Sequence, residues 1–168
     1  QTSHVAFLIV AGLLLKSAFA VCGLGRQARW IRNLLAAGDV SRARTQMKAL
    51  VSRDTQSLSE PQLVAATMES VAENVSDSFV APLFYFLLLG VPGALAYRMA
   101  NTMDAMVGYH GKYEYIGKAA ARLDDALNFI PARLTALLTV AAAFTVRHDW
   151  KQAWHIMIRD HSRTESPN

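Results

Sequence analysis

Three long apolar segments constrain the fold of this chain more than any other feature. They cover residues 5–25, 79–97 and 129–146, and the only charged side chains in them are Lys16 and Arg133. A helix crosses a bilayer core with about 20 mainly apolar residues, so each segment is close to that length. Three such segments in 168 residues favour a membrane protein over a soluble domain that buries the same residues as core helices.

Composition excludes several classes of protein. Hydrophobic residues make up 52% of the chain and charged residues 18%, against about 25% charged residues in an average soluble domain. This composition excludes a disordered tail. The single cysteine, Cys22, excludes an internal disulfide framework and a cysteine-based zinc site. A net charge of +4 is too small to indicate a nucleic-acid partner, so we predict none.

The polar stretches 26–78 and 98–128 also read as helical, because no useful β-alternation interrupts them. We expect helices over 26–37, 40–52 and 60–77, with Gly38 ending the first, Asp39 capping the second, and Ser59 with Gln62 forming a capping box before the third. The predicted fold is all-α. It is a polytopic membrane protein in which residues 1–168 form a single helical domain, with amphipathic helices between the three apolar segments.

Charge and aromatic residues predict how the chain sits in the membrane. Seven lysine and arginine residues lie between Arg26 and Asp54, against two acidic ones. The positive-inside rule therefore places the stretch after Gly25 in the cytoplasm, although a solvated helix face would show the same run. Aromatic residues near the segment ends predict interfacial belts; these are Trp30, Tyr97, Trp150 and Trp154.

The first polar cluster is a stripe of carboxylates immediately before the second apolar segment. Glu69, Glu73 and Asp77 are spaced i, i+4 and i+8, so on an α-helix they share one face. Like charges at this spacing repel one another unless a cation neutralises them. A Mg²⁺ ion or an ammonium group would do so, whereas the alternative is a solvated helix face.

Two more polar clusters follow the second apolar segment. Asn101 and Asp104 are i, i+3 neighbours that could hold a metal or a polar substrate group, or simply cap a helix exit. Asp124 and Asn128 share a face at i, i+4. The side chains around them, Asp125, Arg122 and Arg133, suit a phosphate or carboxylate site, or structural caps and ion pairs.

The break at Gly90-Val91-Pro92-Gly93 decides whether these clusters can form one site. If 79–97 crossed the membrane, the Glu69–Asp77 and Asn101–Asp104 clusters would lie on opposite sides. Proline removes a helical hydrogen bond and glycine loosens the backbone, so the break permits a re-entrant hairpin. We therefore hypothesise that 79–97 enters and returns, leaving both clusters on the cytoplasmic side.

Two runs of the sequence resemble the cobalamin-biosynthesis membrane proteins of the CobD/CbiB type, which are adenosylcobinamide-phosphate synthases. The runs are ESVAENVSDSFVAPLFYFLLLGVPGALAYRMANTMDAMVGY (69–109) and ARLDDALNFIPARLTALL (121–138). The stretch GDVSRAR, the triplet Arg53-Asp54-Thr55 and the closing Ser-Pro-Asn also look like that family. Because the family extends further at both ends, we expect this chain to be the central part of a longer protein.

The resemblance implies a multi-pass enzyme of the bacterial inner membrane. Such an enzyme joins a propionate carboxyl of adenosylcobyric acid, a corrinoid substrate, to aminopropanol or its O-phosphate, using ATP and Mg²⁺. Its partners would be membrane lipid and other membrane proteins of the pathway. We assign catalysis to Glu69, Glu73, Asp104, Asp124 and Asp125, Mg²⁺ to Glu73, Asp77 and Asp104, and substrate or phosphate binding to Asn74, Arg98, Asn101, Tyr109, Lys112, Arg122, Asn128 and Arg133.

Two other interpretations stay open. One is a non-enzymatic regulatory membrane protein of the AmpE type, which predicts eroded carboxylate clusters. The other is an ion or solute carrier, because acidic residues near membrane segments can mark ion paths.

Overall fold

The structure is a computed structural model that describes residues 2–19, 21–48, 50–51, 55–107 and 114–160. Every regular element in these ranges is helical, which confirms the predicted all-α fold. The α-helices are α1 (Thr2–Ala18), α2 (Val21–Ala36), α3 (Val40–Met47), α4 (Glu60–Val75), α5 (Ala81–Val107), α6 (Glu114–Thr145) and α7 (Trp150–Asp160), and a π-helical turn (Ser76–Val80) precedes α5.

The chain divides into two compact units. The first unit consists of Gln1–Phe19 and Ser76–Asn168, and the second unit is Ala20–Val75. The prediction of one domain over residues 1–168 stays a prediction, because two compact units can belong to a single domain.

The second unit is built around a small apolar core between α2, α3 and α4. Its buried members are Ile31, Ala43, Met47, Leu63 and Ala66. Arg26, Arg29 and Trp30 are exposed. The helix α2 is therefore amphipathic, with Ile31 inside and the arginines outside.

Local capping interactions end and begin these helices as the sequence predicts. Gly38 has a φ of 74° and ends α2. Its N–H donates to the carbonyl of Leu35, and the N–H of Asp39 donates to Leu34, both at 3.0 Å. Asp39 then caps α3 by accepting the N–H of Arg42 at 3.1 Å. This hydrogen bond holds the pKa of the Asp39 carboxyl below its ordinary value.

One half of the capping box predicted before α4 forms, since the Ser59 hydroxyl donates to the Gln62 side chain instead of accepting a helical N–H. The N–H of Ser59 donates to the side-chain oxygen of Gln62 at 2.8 Å, and α4 begins at the next residue, Glu60. The helix was predicted to continue as far as Asp77. It instead ends at Val75 and gives way to the π-helical turn, so the α-helical spacing that groups Glu69 and Glu73 on one face does not extend to Asp77.

The first apolar segment, residues 5–25, is not one helix. It is divided between α1, which ends at Ala18, and α2, which begins at Val21 rather than at the predicted Arg26. Phe19 lies outside both helices, and its ring contacts the ring of Phe79 with centroids 6.0 Å apart. This ring contact gives a tertiary reason for the helix to end here, since apolar periodicity alone predicts no break.

Three helical stretches are long and apolar enough to cross a membrane. They are His4–Ala36, Glu60–Met106 and Gly117–Thr145. Most of the apolar surface in each is not buried inside the protein, since at most 28% of the most apolar window of any stretch is buried. Exposed apolar helices of this length are typical of contact with lipid rather than with water.

The helix α5 reverses direction at Gly90, so that it forms a hairpin. Gly90 has a φ of 68° and a ψ of −157°, a backbone conformation that is essentially restricted to glycine. The rings of Tyr85 and Tyr97 stack with centroids 5.3 Å apart, although twelve residues of straight helix would separate them by about 18 Å. Gly93 packs so closely on the carbonyl of Tyr85 that a Cβ there would lie 2.5 Å from its oxygen.

The hairpin has a first arm (81–89), a second arm (91–107) and an apolar tip. The tip side chains are exposed: Leu87 by 75%, Leu88 by 61% and Leu89 by 66%. The first arm is only about 14 Å long and the second about 26 Å, both shorter than a bilayer core of about 30 Å. The fold-back that we hypothesised for 79–97 is therefore present in the structure.

The third apolar segment is part of α6, which is longer than predicted and contains Pro131 well inside it. We expected this proline in an early helical position. Because proline has no N–H, the carbonyl of Leu127, four residues earlier, loses its helical donor. The hydroxyl of Tyr85 supplies the missing hydrogen bond at 2.9 Å. The hairpin thus repairs the interruption that Pro131 makes in α6.

Candidate functional site

A cluster of polar side chains lies in the first unit at the open end of the hairpin. It draws on the π-helical turn, the second arm and α6. Its members are Asp77, Tyr97, Arg98, Asn101, Asp104, Asp124 and Asn128, and we call this set the polar cluster. All but Tyr97 were predicted from the sequence as site residues.

Asp124 and Asn128 form the buried centre of the polar cluster. Asp124 is 6% exposed and Asn128 is fully buried. The amide nitrogen of Asn128 donates to Oδ2 of Asp124 at 2.9 Å, and its oxygen accepts the hydroxyl of Tyr97 at 2.8 Å. These two hydrogen bonds fix the orientation of the Asn128 amide, and so hold one oxygen of the Asp124 carboxylate in place.

The other oxygen of Asp124, Oδ1, is buried and meets no donor at hydrogen-bond geometry among the described residues, although the side chain of Asn101 lies close to this carboxyl. The hydroxyl of Ser76, on the adjoining π-helical turn, is also buried and has no hydrogen-bond partner among the described residues. Buried polar atoms are nearly always partnered in folded proteins, because an unmade hydrogen bond costs about 1–3 kcal/mol. Each of these two atoms, on elements that pack together, is one that a ligand or an ordered water would satisfy.

The hairpin brings Asp77 to Asn101. The amide of Asn101 donates to Oδ2 of Asp77 at 3.3 Å, and its oxygen accepts a hydrogen bond from Arg98 at 3.2 Å. On a straight helix, the 24 residues between Asp77 and Asn101 would span about 36 Å. The fold-back at Gly90 therefore assembles this part of the polar cluster.

Asp104 and Asp125 add negative charge beside Asp124. The carboxylates of both repel the carboxylate of Asp124, and Asp104 and Asp125 also repel each other. Asp104 is half-buried, whereas Asp125 is exposed. An accumulation of carboxylates in a partly buried place favours binding of a cation, an ammonium group or a proton.

The predicted magnesium ligands can be compared with this geometry. In the part of the chain that the structure describes, no three His, Cys, Asp or Glu side chains converge as a metal site. Magnesium is usually held by one or two carboxylates together with substrate phosphates. Asp104 and the unpartnered oxygen of Asp124 fit that smaller requirement, whereas Glu73 belongs to the second unit.

Three predicted site residues lie in the second unit, on α4. Glu69 and Glu73 are exposed. Asn74 is half-buried, and its amide donates to the carbonyl of Ser70 on its own helix at 2.9 Å. The roles proposed for these three stay predictions.

The predicted arginine clamp of Arg122 and Arg133 does not face the polar cluster. Arg133 lies nine residues after Asp124, about two and a half helical turns, and Arg122 lies two residues before it, so both are on the opposite face of α6. Both are exposed. The guanidinium of Arg133 donates to the carbonyl of Phe129 and lies over that ring, 3.5 Å from its centroid.

Two of the predicted residues, Tyr109 and Lys112, lie outside the described residues. Tyr97, which we had read as an interfacial belt residue, is instead 1% exposed. That interpretation is wrong, because the hairpin turns the ring inward against Tyr85. The hydroxyl of Tyr97 lies beside the buried Asn128 because the chain reverses direction. Only that reversal could have indicated this contact.

The comparison with known protein families is decisive. Residues 1–168 match the family described as CobD/Cbib protein. The chain belongs to the CobD/CbiB family. This confirms the resemblance seen in the sequence, and it disfavours both the AmpE-type and the carrier interpretation.

Individual relatives agree with this assignment. The chain is 55% identical over 166 residues to a protein of Dehalococcoides mccartyi named cobalamin biosynthesis protein CobD, covering 99% of this chain and 54% of the relative. It is 45% identical to a probable cobalamin biosynthesis protein CobD of Methanothermobacter thermautotrophicus, covering 96% and 54%. A CobD protein of Listeria monocytogenes is 42% identical, with 98% and 52% covered.

The chain therefore spans about half the length of these CobD relatives. No solved structure matches it. The geometry of the polar cluster consequently rests on this chain alone.

Proposed function

We propose that this chain is part of an adenosylcobinamide-phosphate synthase of cobalamin biosynthesis. The proposed reaction joins a propionate carboxyl of adenosylcobyric acid to the amine of aminopropanol or its O-phosphate at the expense of ATP. The family membership and the CobD names of the relatives support the pathway. The observation that carries the site is the buried Asp124, with one oxygen held by Asn128 and the other unpartnered.

The reaction makes two demands that the polar cluster can meet. The carboxylate of the corrinoid is first converted to an acyl phosphate, and the amine then attacks it and displaces phosphate. The amine has to lose a proton, which a carboxylate within hydrogen-bonding reach accepts. We assign the free oxygen of Asp124 as the acceptor of this proton. The alternative acceptor, Asp125, is more exposed and less constrained.

The remaining members of the polar cluster would bind and orient the reactants. Asp77, Asn101 and Asp104 present oxygens that suit the ammonium group of the amino alcohol. Arg98, fixed by Asn101, would contact phosphate. Asp104 would hold Mg²⁺ together with the ATP phosphates, whose negative charge the ion offsets when bound.

The proposal includes a location. The protein would be a multi-pass protein of the bacterial inner membrane, in contact with lipid and with other membrane proteins of the pathway. The basic residues of α2 and α3 support a cytoplasmic position for the segment that they occupy. ATP is supplied on that side.

The test is substitution of Asp124 in the full-length parent protein. Asp124→Asn keeps the shape and the bond with Asn128 can re-form, but the proton acceptor is lost. We expect the rate of ATP-dependent adenosylcobinamide phosphate formation to fall by at least about 100-fold. The corrinoid product and ADP are measured together in detergent or reconstituted membranes.

The matched control is Asp149→Asn, since Asp149 caps α7 by accepting the N–H of Gln152 at 3.0 Å and asparagine caps equally well. This variant should keep the parent rate. A normal rate for Asp124→Asn would remove Asp124 from the chemistry. Amide formation without ATP consumption by the parent protein would contradict the proposed reaction itself.

A further inference from the structure

The last helix, α7, has one apolar and one basic face. At 100° per residue, Trp150, Trp154 and Ile158 fall together on one side, with Ala153 and Met157 beside them. The opposite side carries Lys151, Gln152, His155 and Arg159, with one apolar side chain, Ile156, beside Gln152. This arrangement is typical of a helix that lies between an apolar and an aqueous phase.

The apolar face of α7 is uncovered on the side that carries its tryptophans and Ile158. Ala153 and Met157 are half-buried. Trp150 is 39% exposed, Trp154 43% and Ile158 53%. Within the first unit, the ring of Trp150 meets the ring of Phe144 at the end of α6, with centroids 5.9 Å apart. Phe144 and Val146 are exposed as well. The uncovered face therefore continues the apolar surface of α6.

The position of α7 along α6 is informative. From Asp124 in the polar cluster to the end of α6 at Thr145, the helix rises about 32 Å, close to the thickness of a bilayer core. A turn follows, in which Arg147 has a φ of 59° and Asp149 caps the new helix. This turn ends the membrane crossing and starts α7 at the other end of α6 from the polar cluster.

We propose that α7 lies in the lipid–water interface on the side of the membrane opposite the polar cluster. Its tryptophan and isoleucine side chains rest among the acyl chains, and its basic face binds the phosphates of anionic phospholipids. Tryptophan prefers this depth because its ring is apolar and its N–H is polar.

Charge complementarity selects the lipid as the occupant. Lys151 and Arg159 lie on the polar face of α7, and Arg147 lies in the turn before it. The ammonium of Lys151 is held over the ring of Trp150, 5.9 Å from its centroid. A partner protein that covered the apolar face would not require cations along the edge of that face. Anionic lipid headgroups, in contrast, bind to such cations.

The test uses the full-length protein in vesicles, with its native cysteines replaced and one spin label at a time. Labels at Trp154→Cys and Ile158→Cys report the uncovered apolar face, and Gln152→Cys is the matched control on the polar face. We expect dissolved oxygen to collide with the first two labels more often than a water-soluble nickel complex does, and the reverse at position 152.

Two patterns would overturn the proposal. Low collision rates with both reagents at 154 and 158 would mean that protein covers this face, either the rest of the longer chain or a second copy. A predominance of nickel collisions at these positions would place the face in water.

A second measurement tests the role of the basic face. In vesicles of phosphatidylcholine with phosphatidylglycerol, the oxygen-to-nickel ratio at position 158 should be higher than in phosphatidylcholine alone. The variant Lys151→Gln/Arg159→Gln should lose that difference. A ratio that is the same in both lipids would overturn the assignment of these cations to lipid phosphates.

Discussion

At the residue scale, one tyrosine couples two elements that proline and glycine would otherwise weaken. Tyr85 donates its hydroxyl to the carbonyl that Pro131 leaves without a donor, and its ring stacks on Tyr97. In the core of a membrane, no water is present to donate a hydrogen bond to an unsatisfied carbonyl. The contact therefore stabilises α6 and the hairpin at once.

This contact predicts the effect of Tyr85→Phe, which keeps the stacked ring and removes the hydroxyl. The free energy of unfolding should fall by about 1 kcal/mol, because the Leu127 carbonyl loses its partner. Reversible unfolding of the full-length protein in mixed detergent micelles measures the change.

The control is the same substitution in a Pro131→Ala background. Alanine supplies the missing N–H, so the hydroxyl becomes redundant and Tyr85→Phe should cost clearly less there. An equal loss in both backgrounds would contradict this account of the hydrogen bond.

At the element scale, the hairpin requires two glycines for different structural reasons. Gly90 adopts a backbone conformation closed to other residues, and Gly93 allows the second arm to touch the first. A run of apolar residues of the same length without them would continue as one straight helix. The break in the segment is therefore what places Asp77 beside Asn101.

We expect Gly93→Ala to destabilise the hairpin by about 1–3 kcal/mol, since the new Cβ would overlap the Tyr85 carbonyl and neither backbone can give way easily. Gly12→Ala is the matched control. A Cβ at Gly12, in α1, meets nothing within 4 Å. Alanine there should be neutral or slightly stabilising. Similar unfolding free energies for the two variants would show that the arms do not pack as described.

At the scale of the whole molecule, the first unit combines a helix long and apolar enough to cross a membrane with a helical hairpin. The apolar tip of the hairpin and many apolar side chains of α6 are exposed, as is typical of surfaces that contact lipid, whereas the polar cluster gathers at one end. A buried group of carboxylates at the end of a crossing can meet soluble reactants without carrying charge through the bilayer.

This arrangement predicts the sidedness of three engineered cysteines in the full-length protein. Thr102→Cys and Ala119→Cys lie near the polar cluster and should react with an impermeant maleimide from one face of the membrane. Gln152→Cys, on α7, should react from the other face. Labelling in sealed vesicles of both orientations measures this. Reaction of positions 102 and 119 from opposite faces would contradict the packing of the second arm against α6 at this end of the first unit.

The features of the fold and of the site that could be predicted depend on local patterns in the sequence. The caps at Asp39 and Ser59, the stop at Gly38 and the shared face of Asp124 and Asn128 all depend on residues within a few positions of one another. The boundary between α1 and α2 was missed because its reason, the contact of Phe19 with Phe79, joins residues far apart in sequence. The inward position of Tyr97 was missed for the same reason.

By itself, the sequence determined the helical class, the membrane character, the family and most members of the polar cluster. Composition, helical periodicity and ordered motifs specify these features without reference to distant contacts. Tertiary structure alone decided which candidates meet: Asp77 reaches Asn101, Tyr97 reaches Asn128, and Arg122 and Arg133 face away. The physical reason is the reversal at Gly90, which converts separations along the chain into contacts across a hairpin.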